Sequence, residues 1–240
     1  MIETQLENRV LRLTLNRPEK RNALNIALCK AIVDTIEAAE SDPAVNAILL
    51  TANGKAFCAG MDLSETLSAE RSQLDAIHER LFTLGSRIRK PIIAAVRGPA
   101  LAGGTGLAAN AHILLAHPDA TFGLTEIRIA LFPILIFRAI KAAVGERRAT
   151  ELALTGRRFG GNEAKEYGLV HELCIDPEIR AAGIAREIAT LNPRAVAHGL
   201  DYIHQTRDAT WAEAGEIGSR IRAEALQNPA FKEAIHDFLK

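Results

Sequence analysis

The chain of 240 residues is 48% hydrophobic and 24% charged, an ordinary globular balance with room for a large core. Its 29 basic and 29 acidic residues cancel without any block of like charge, which excludes the electrostatic footprint of nucleic-acid or membrane-surface binding. No apolar run approaches the ~20 residues of a membrane span, MIETQLENRV lacks the pattern of a signal peptide, and Cys29, Cys58 and Cys174 are too scattered for a disulfide framework or a zinc site. The expectation is a soluble cytoplasmic protein with no metal.

RVLRLTLN alternates, with Leu11, Leu13 and Leu15 on one side and Val10, Arg12 and Thr14 on the other, which predicts a half-buried strand. The turn RPEKRNAL follows, and Leu24, Leu28, Ile32 and Ile36 repeat at helical spacing over 24–40. VNAILLT (45–51), PIIAAV (91–96) and HILLA (112–116) are short continuous apolar runs that suit strands buried on both faces. Between the first two lie the loop ANGKAFCAGMDLS and a polar helical stretch at about 70–88. This order predicts an α/β fold with right-handed crossovers. Beyond residue 130, helical patterns at 133–154, 162–167, 178–191, 195–206 and 211–225 are interrupted by TGRRFGG and the strand-like LVHELC. A last short helix opens at the Asn-Pro of NPAFKEAIHDFLK. The expected division is a core over 1–190 and a helical C-terminal region over 191–240.

Two small-residue loops stand out. GPALAGGTGLAAN (98–110) contains GTGLAA, a match to the dinucleotide fingerprint G-x-G-x-x-A. That fingerprint belongs on a first strand-to-helix turn, with an acid about 20 residues on, and neither condition is met here. No P-loop is present. GKAFCAGMDL (54–63) also follows a buried strand and feeds a helix. Two such loops are either tight strand-to-helix turns or a pair that aims backbone N–H groups into one pocket, an oxyanion hole.

LNRPEKRNALN, AFCAGMDL, KPIIAAVRGPALAGG, FGLTEIRIALFP and ELALTGRRFGGNEAKEYGLVHEL occur in this order. On these stretches the chain resembles the enoyl-CoA hydratase/isomerase family, or crotonase superfamily, over nearly its full length. The resemblance implies a spiral of ββα turns with a helical trimerisation region, in a homo-oligomer that is a trimer or a dimer of trimers. It implies an acyl-CoA thioester as substrate and no separate cofactor. The backbone N–H groups of Met61 and Gly103 match the family's oxyanion donors, which hold the thioester oxygen as an enolate forms. Ala23, Ala59, Asp62 and Leu63 match positions that line the coenzyme A channel, and Lys20 and Arg21 lie near its phosphates. Gly60, Gly106 and Phe132 complete the expected substrate-binding set.

Hydratases of the family carry two glutamates that hold the attacking water. The first falls three residues after the oxyanion glycine, at Gly106 here, and the second falls at Glu126 in FGLTE. One carboxylate suffices for a proton shift between C2 and C4 of an enoyl thioester, with Glu126 as the base. Hydration needs the water oriented as well as deprotonated, and Thr105 or Thr125 is a candidate to help hold it. The expectation is therefore an enoyl-CoA isomerase. The alternatives are a hydratase with a non-standard second group and a non-catalytic acyl-CoA-binding subunit. LFPILIFRAI, shorter and more apolar than the usual family run after the second glutamate, suggests a reshaped acyl pocket. Cys58 and His112 read as structural, and His78 and His171 as surface or interface histidines.

Overall fold

The computed structural model describes residues 1–66 and 71–239; residue 70, the start of the expected polar helix, lies outside them. The N-terminal hairpin pairs β1 (Ile2–Glu7) with β2 (Val10–Leu15) through Asn8 and Arg9, both at positive φ. Two such residues make the tight turn whose twist matches antiparallel strands. Sequence reading found β2 and missed β1, whose side chains are mostly exposed.

Helix α1 (Ile26–Ser41) is capped by Asn25, whose side chain accepts the Leu28 N–H, and it buries Leu28, Cys29, Ile32, Val33 and Ile36. It starts two residues later than its periodicity predicts, because Leu24 is drawn into a bridge with Met61. Strands β3 (Ala47–Ala52), β4 (Ile92–Val96), β6 (Ile113–Ala116) and the short β9 (Glu172–Leu173) extend the sheet; α2 (Leu63–Thr66) and α3 (Arg71–Phe82) lie between β3 and β4, β5 (Pro99–Leu101) and α4 (Gly103–Ala109) between β4 and β6, and β7 (Thr121–Gly123), α5 (Ile134–Val144), α6 (Glu146–Thr155), β8 (Arg158–Gly160) and α7 (Gly161–Glu166) between β6 and β9. The six-stranded sheet runs β1-β2-β3-β4-β6-β9, parallel from β2 onward, and a second sheet runs β5-β7-β8.

The period-two alternation sends side chains to both faces, and both faces are covered. Ile48, Leu50, Ile92, Ala94 and Val96 pack in the main core with α1. Ala47, Leu49, Ile93 and Ala95 pack on Ala181, Ala185 and Ala189 of α8 (Pro177–Ala189). β2 is consequently more buried than its pattern suggests. Thr14, expected on an open face, is buried and shares a 2.9 Å hydrogen bond with Thr51.

The pattern over 133–154 is two helices, α5 and α6, because Gly145 between them adopts positive φ. α9 (Pro193–Thr206), α10 (Trp211–Gln227) and α11 (Pro229–Phe238) follow, with Asn192, Thr210 and Asn228 as their caps. No helix among the described residues is long and apolar enough to cross a membrane.

Candidate active site

The two small-residue loops are stitched together by main-chain hydrogen bonds. Cys58 N–H donates to Pro99 C=O at 3.2 Å, and Leu101 N–H donates to Cys58 C=O at 2.9 Å. The first loop is held from its other side, where Leu24 N–H donates to Gly60 C=O at 2.8 Å and Asp62 N–H donates to Leu24 C=O at 2.9 Å. Gly60 has φ +93°, and a Cβ there would stand 2.8 Å from the Ala102 Cβ and 2.9 Å from the Leu101 carbonyl oxygen. Only glycine lets the loops meet this closely.

Ala102, the residue before α4, has φ 51° and ψ −125°, a conformation that favours glycine. Strain of this kind costs about 1–3 kcal/mol and persists where the surroundings over-determine it. Here Ala102 N–H donates to Gly123 C=O at 2.7 Å, and the fully buried Thr105 hydroxyl donates to Ala100 C=O at 2.7 Å and accepts from Gly123 N–H at 3.2 Å. Thr105 is thus committed to the scaffold and does not line the cavity, which removes it as a water holder. Among the described residues, neither the Met61 nor the Gly103 backbone N–H has a hydrogen-bond partner. A Cβ on Gly103 would lie 3.8 Å from the Gly60 Cα, so the two donors belong to loops in direct contact.

Glu126 enters from a 3-10 turn, Thr125–Ile129, that follows β7. The turn is closed by Leu131 N–H donating to Glu126 C=O, and Arg128 Nε ties it to Gly156 C=O at 2.9 Å. The Glu126 side chain is 9% exposed, and its Oε2 is buried without a hydrogen-bond partner among the described residues. Burial pushes its pKa up to about 7, the range suited to a general base near neutral pH.

These features share one cavity of about 1020 Å³. Of the expected site residues, Ala59, Met61, Leu63, Gly103, Glu126 and Phe132 line it. Lys20, Arg21, Ala23, Gly60, Asp62 and Gly106 do not. Lys20 and Arg21 are exposed, although Arg21 C=O accepts Ala59 N–H and so keeps their turn beside the first loop. Gly60 shapes the loop without facing the space. Asp62 is held by Arg17, whose Nη1 lies 2.7 Å from its Oδ2 and also donates to Ala23 C=O at 2.9 Å. Hydrogen bonds from Ser64 and then from Arg17 pull the Asp62 carboxyl down to about 2. It is a clip on the loop. Asn22 completes the clip, fully buried, accepting from Arg17 N–H and donating to Asn53 and Ala56 carbonyls.

Sequence reasoning missed Arg17, Asn22, Leu24, Phe82 and Ile136, and it placed His78 on the surface. His78 is 4% exposed and lines the cavity with Leu74 and Phe82. The four-residue spacing of these three was available as a helical face. His171 is exposed and accepts Leu114 N–H at 3.1 Å, while His112 accepts Ile92 N–H at 2.9 Å, the structural role expected of it.

The family model described as enoyl-CoA hydratase/isomerase matches residues 5–240. The chain belongs to that family. Hydroxycinnamoyl-CoA hydratase-lyase of Pseudomonas fluorescens is 33% identical over 226 residues, 88% of this chain and 81% of that protein. An enoyl-CoA hydratase of Mycobacterium tuberculosis is 32% identical over 243 residues, 94% of this chain and 88% of its own. The crystal structure of an enoyl-CoA hydratase of Mycobacterium smegmatis superposes with a TM-score of 0.94 at 28% identity, covering 99% of this chain and 95% of that one. The protein is an enzyme of the crotonase superfamily, a hydratase or an isomerase.

Gly106 in α4 packs closely against α5. A Cβ there would overlap the Ile136 Cγ2 methyl and stand 2.6 Å from the Ile136 Cβ. Ile136 is 2% exposed and lines the cavity from α5. An apolar side chain fills the space that a side chain at position 106 would need.

Proposed function

We propose that this crotonase-superfamily enzyme is a single-glutamate enoyl-CoA isomerase. The observation that carries the reading is one buried carboxylate, with its Oε2 unpartnered among the described residues, in the same cavity as two unpaired main-chain donors, with Ile136 packed against Gly106. The thioester oxygen of an acyl-CoA sits against the N–H groups of Met61 and Gly103. Glu126 takes a proton from C2 of a 3-enoyl thioester. The electron pair delocalises through the carbonyl, and the dienolate oxygen is stabilised by the two donors. Protonated Glu126 then returns the proton at C4, which leaves the 2-enoyl thioester. A pKa near 7 serves both halves, because the same group must accept and release a proton at similar cost. The shift consumes no water and needs no metal or redox cofactor.

The exposed basic turn of Lys20 and Arg21 meets the coenzyme A phosphates at the rim. The same reading includes a cytoplasmic trimer or dimer of trimers. Its support is the apolar side chains that α9 to α11 leave exposed, among them Ile203, Trp211 and Ile235. The test is conversion of 3-hexenoyl-CoA to 2-hexenoyl-CoA, followed by absorbance of the conjugated thioester. Rapid hydration of crotonyl-CoA with no isomerisation would sink the proposal. That outcome would select the second reading, a hydratase, which the names of the relatives favour.

A further inference from the structure

The cavity wall is apolar along Ile129, Leu131, Phe132, Ile134 and Ile136, yet α3 places one imidazole in it. Leu74, His78 and Phe82 follow each other at four-residue spacing and share a face. Phe82 marks the oxyanion end, since a Cβ on Gly103 would lie 3.1 Å from its Cζ. His78 sits one helical turn away, with its ring centroid 5.8 Å from that of Phe82. It is nine-tenths buried and more, and its Nε2 has no hydrogen-bond partner among the described residues.

We infer that His78 determines specificity by receiving an uncharged hydrogen-bonding group, a hydroxyl or a keto oxygen, carried on the acyl chain a few carbons from the thioester. The inference rests on the reading of this cavity as an acyl-CoA site. A buried polar group without a partner costs about 1–3 kcal/mol, and a ligand that supplies the partner recovers that loss where a plain alkyl chain does not. Burial holds the His78 pKa below the usual imidazole value, against the opposing pull of Asp75 and Glu65, so the ring offers one donor and one acceptor. Asp75 and Glu79 also line the cavity and are exposed, which disfavours an anionic substituent. The Glu126 shift comes from burial, and the imidazole of His78 does not contribute to it.

The test is calorimetric titration of the wild-type protein with three saturated ligands that cannot turn over: hexanoyl-CoA, 6-hydroxyhexanoyl-CoA and 5-oxohexanoyl-CoA. At least one polar ligand is expected to bind about tenfold tighter than hexanoyl-CoA. His78→Phe, similar in shape and without the polar edge, should erase that ratio, and His78→Gln should keep part of it. Equal binding of all three ligands by the wild type overturns the role of His78 while leaving the acyl-CoA site standing, as does a preference that survives in His78→Phe. Binding of none overturns both readings. Where His78→Phe fails to fold, His78→Gln decides the matter, and a ratio there undiminished from the wild type overturns the role of His78.

Discussion

Asp62 belongs to the first small-residue loop and Glu126 to the turn after β7, and the fold treats these two carboxylates in opposite ways. Asp62 is surrounded by donors from Arg17 and Ser64, and its carboxyl falls to about 2. It is permanently charged at any physiological pH and holds the first loop in register with the turn before α1. Glu126 is buried, with no hydrogen-bond partner for its Oε2 among the described residues, and burial outweighs a backbone hydrogen bond so that its carboxyl rises to about 7. The lesson is that hydrogen-bond donors hold one carboxylate ionised as a structural clip, whereas burial lifts the other into the range a general base needs. The organisation of the first loop by Asp62 and its neighbours is what allows Met61 to present a main-chain donor beside Gly103.

The contrast is broken most severely at Glu126. Glu126→Gln is expected to lower kcat for the isomerisation by about 10²–10⁴, measured with 3-hexenoyl-CoA. In the wild type, kcat/KM should rise with pH and level off above about 7, because the base acts deprotonated. The same change sharpens the comparison through stability. The folded-state pKa of Glu126 lies above its unfolded value, so the native protein binds more protons between about 4.5 and about 7. The contribution of this group to stability is present at low pH and declines as pH rises through that window. Glu126→Gln removes the penalty, so its stability relative to wild type should improve from pH 5 to pH 8 by at most about 3 kcal/mol. Urea unfolding at the two pH values reads this difference; a constant offset would contradict it.

A smaller effect is expected where the family's other carboxylate is absent. Gly106→Ala places a methyl group against Ile136 and should cost about 1–3 kcal/mol of stability by overpacking. Ile136→Ala in the same chain should return part of that loss, a non-additivity that thermal unfolding of the two single variants and the double variant would reveal. Simple additivity would show that the space at 106 is not governed by Ile136.

Much of the architecture was legible because period and punctuation agree in this chain. β3 and β4 read as buried runs, and α1 as an amphipathic helix. Met61, Gly103 and Glu126 could be named from the order of motifs and were then found around one cavity. What stayed hidden depends on contacts between distant segments. Neither Arg17 nor Asn22 has a local signal, since each acts through atoms on the loop at 53–62. Ile136 is an ordinary apolar residue of α5 until the fold sets it on Gly106. His78 misled because a histidine in a polar helix looks solvated when only the helix's composition is weighed. Its spacing from Leu74 and Phe82 was the better guide. Gly145, likewise, broke a continuous helical pattern through a positive φ that periodicity does not register.

The mildest change tests the clip itself. Arg17→Ala removes the hydrogen bonds to Asp62 and to Ala23 C=O and leaves Asp62 with its Ser64 contact. Loss of a hydrogen bond to a charged partner costs about 1.5–3 kcal/mol, and the low exposure of both side chains places this pair near the middle of that range. The expected outcome is a destabilisation of about 2 kcal/mol in urea at pH 7. It should shrink in acid, because the depressed Asp62 carboxyl contributes stability above its ordinary value of 3.8 and loses it as pH falls towards about 2. The pH midpoint of kcat/KM should stay where Glu126 sets it, since no charge from Arg17 contributes to that carboxyl's shift. If Arg17→Ala moved the midpoint, the two carboxylates would be coupled through the loops, and the separation of clip from base would have to be abandoned.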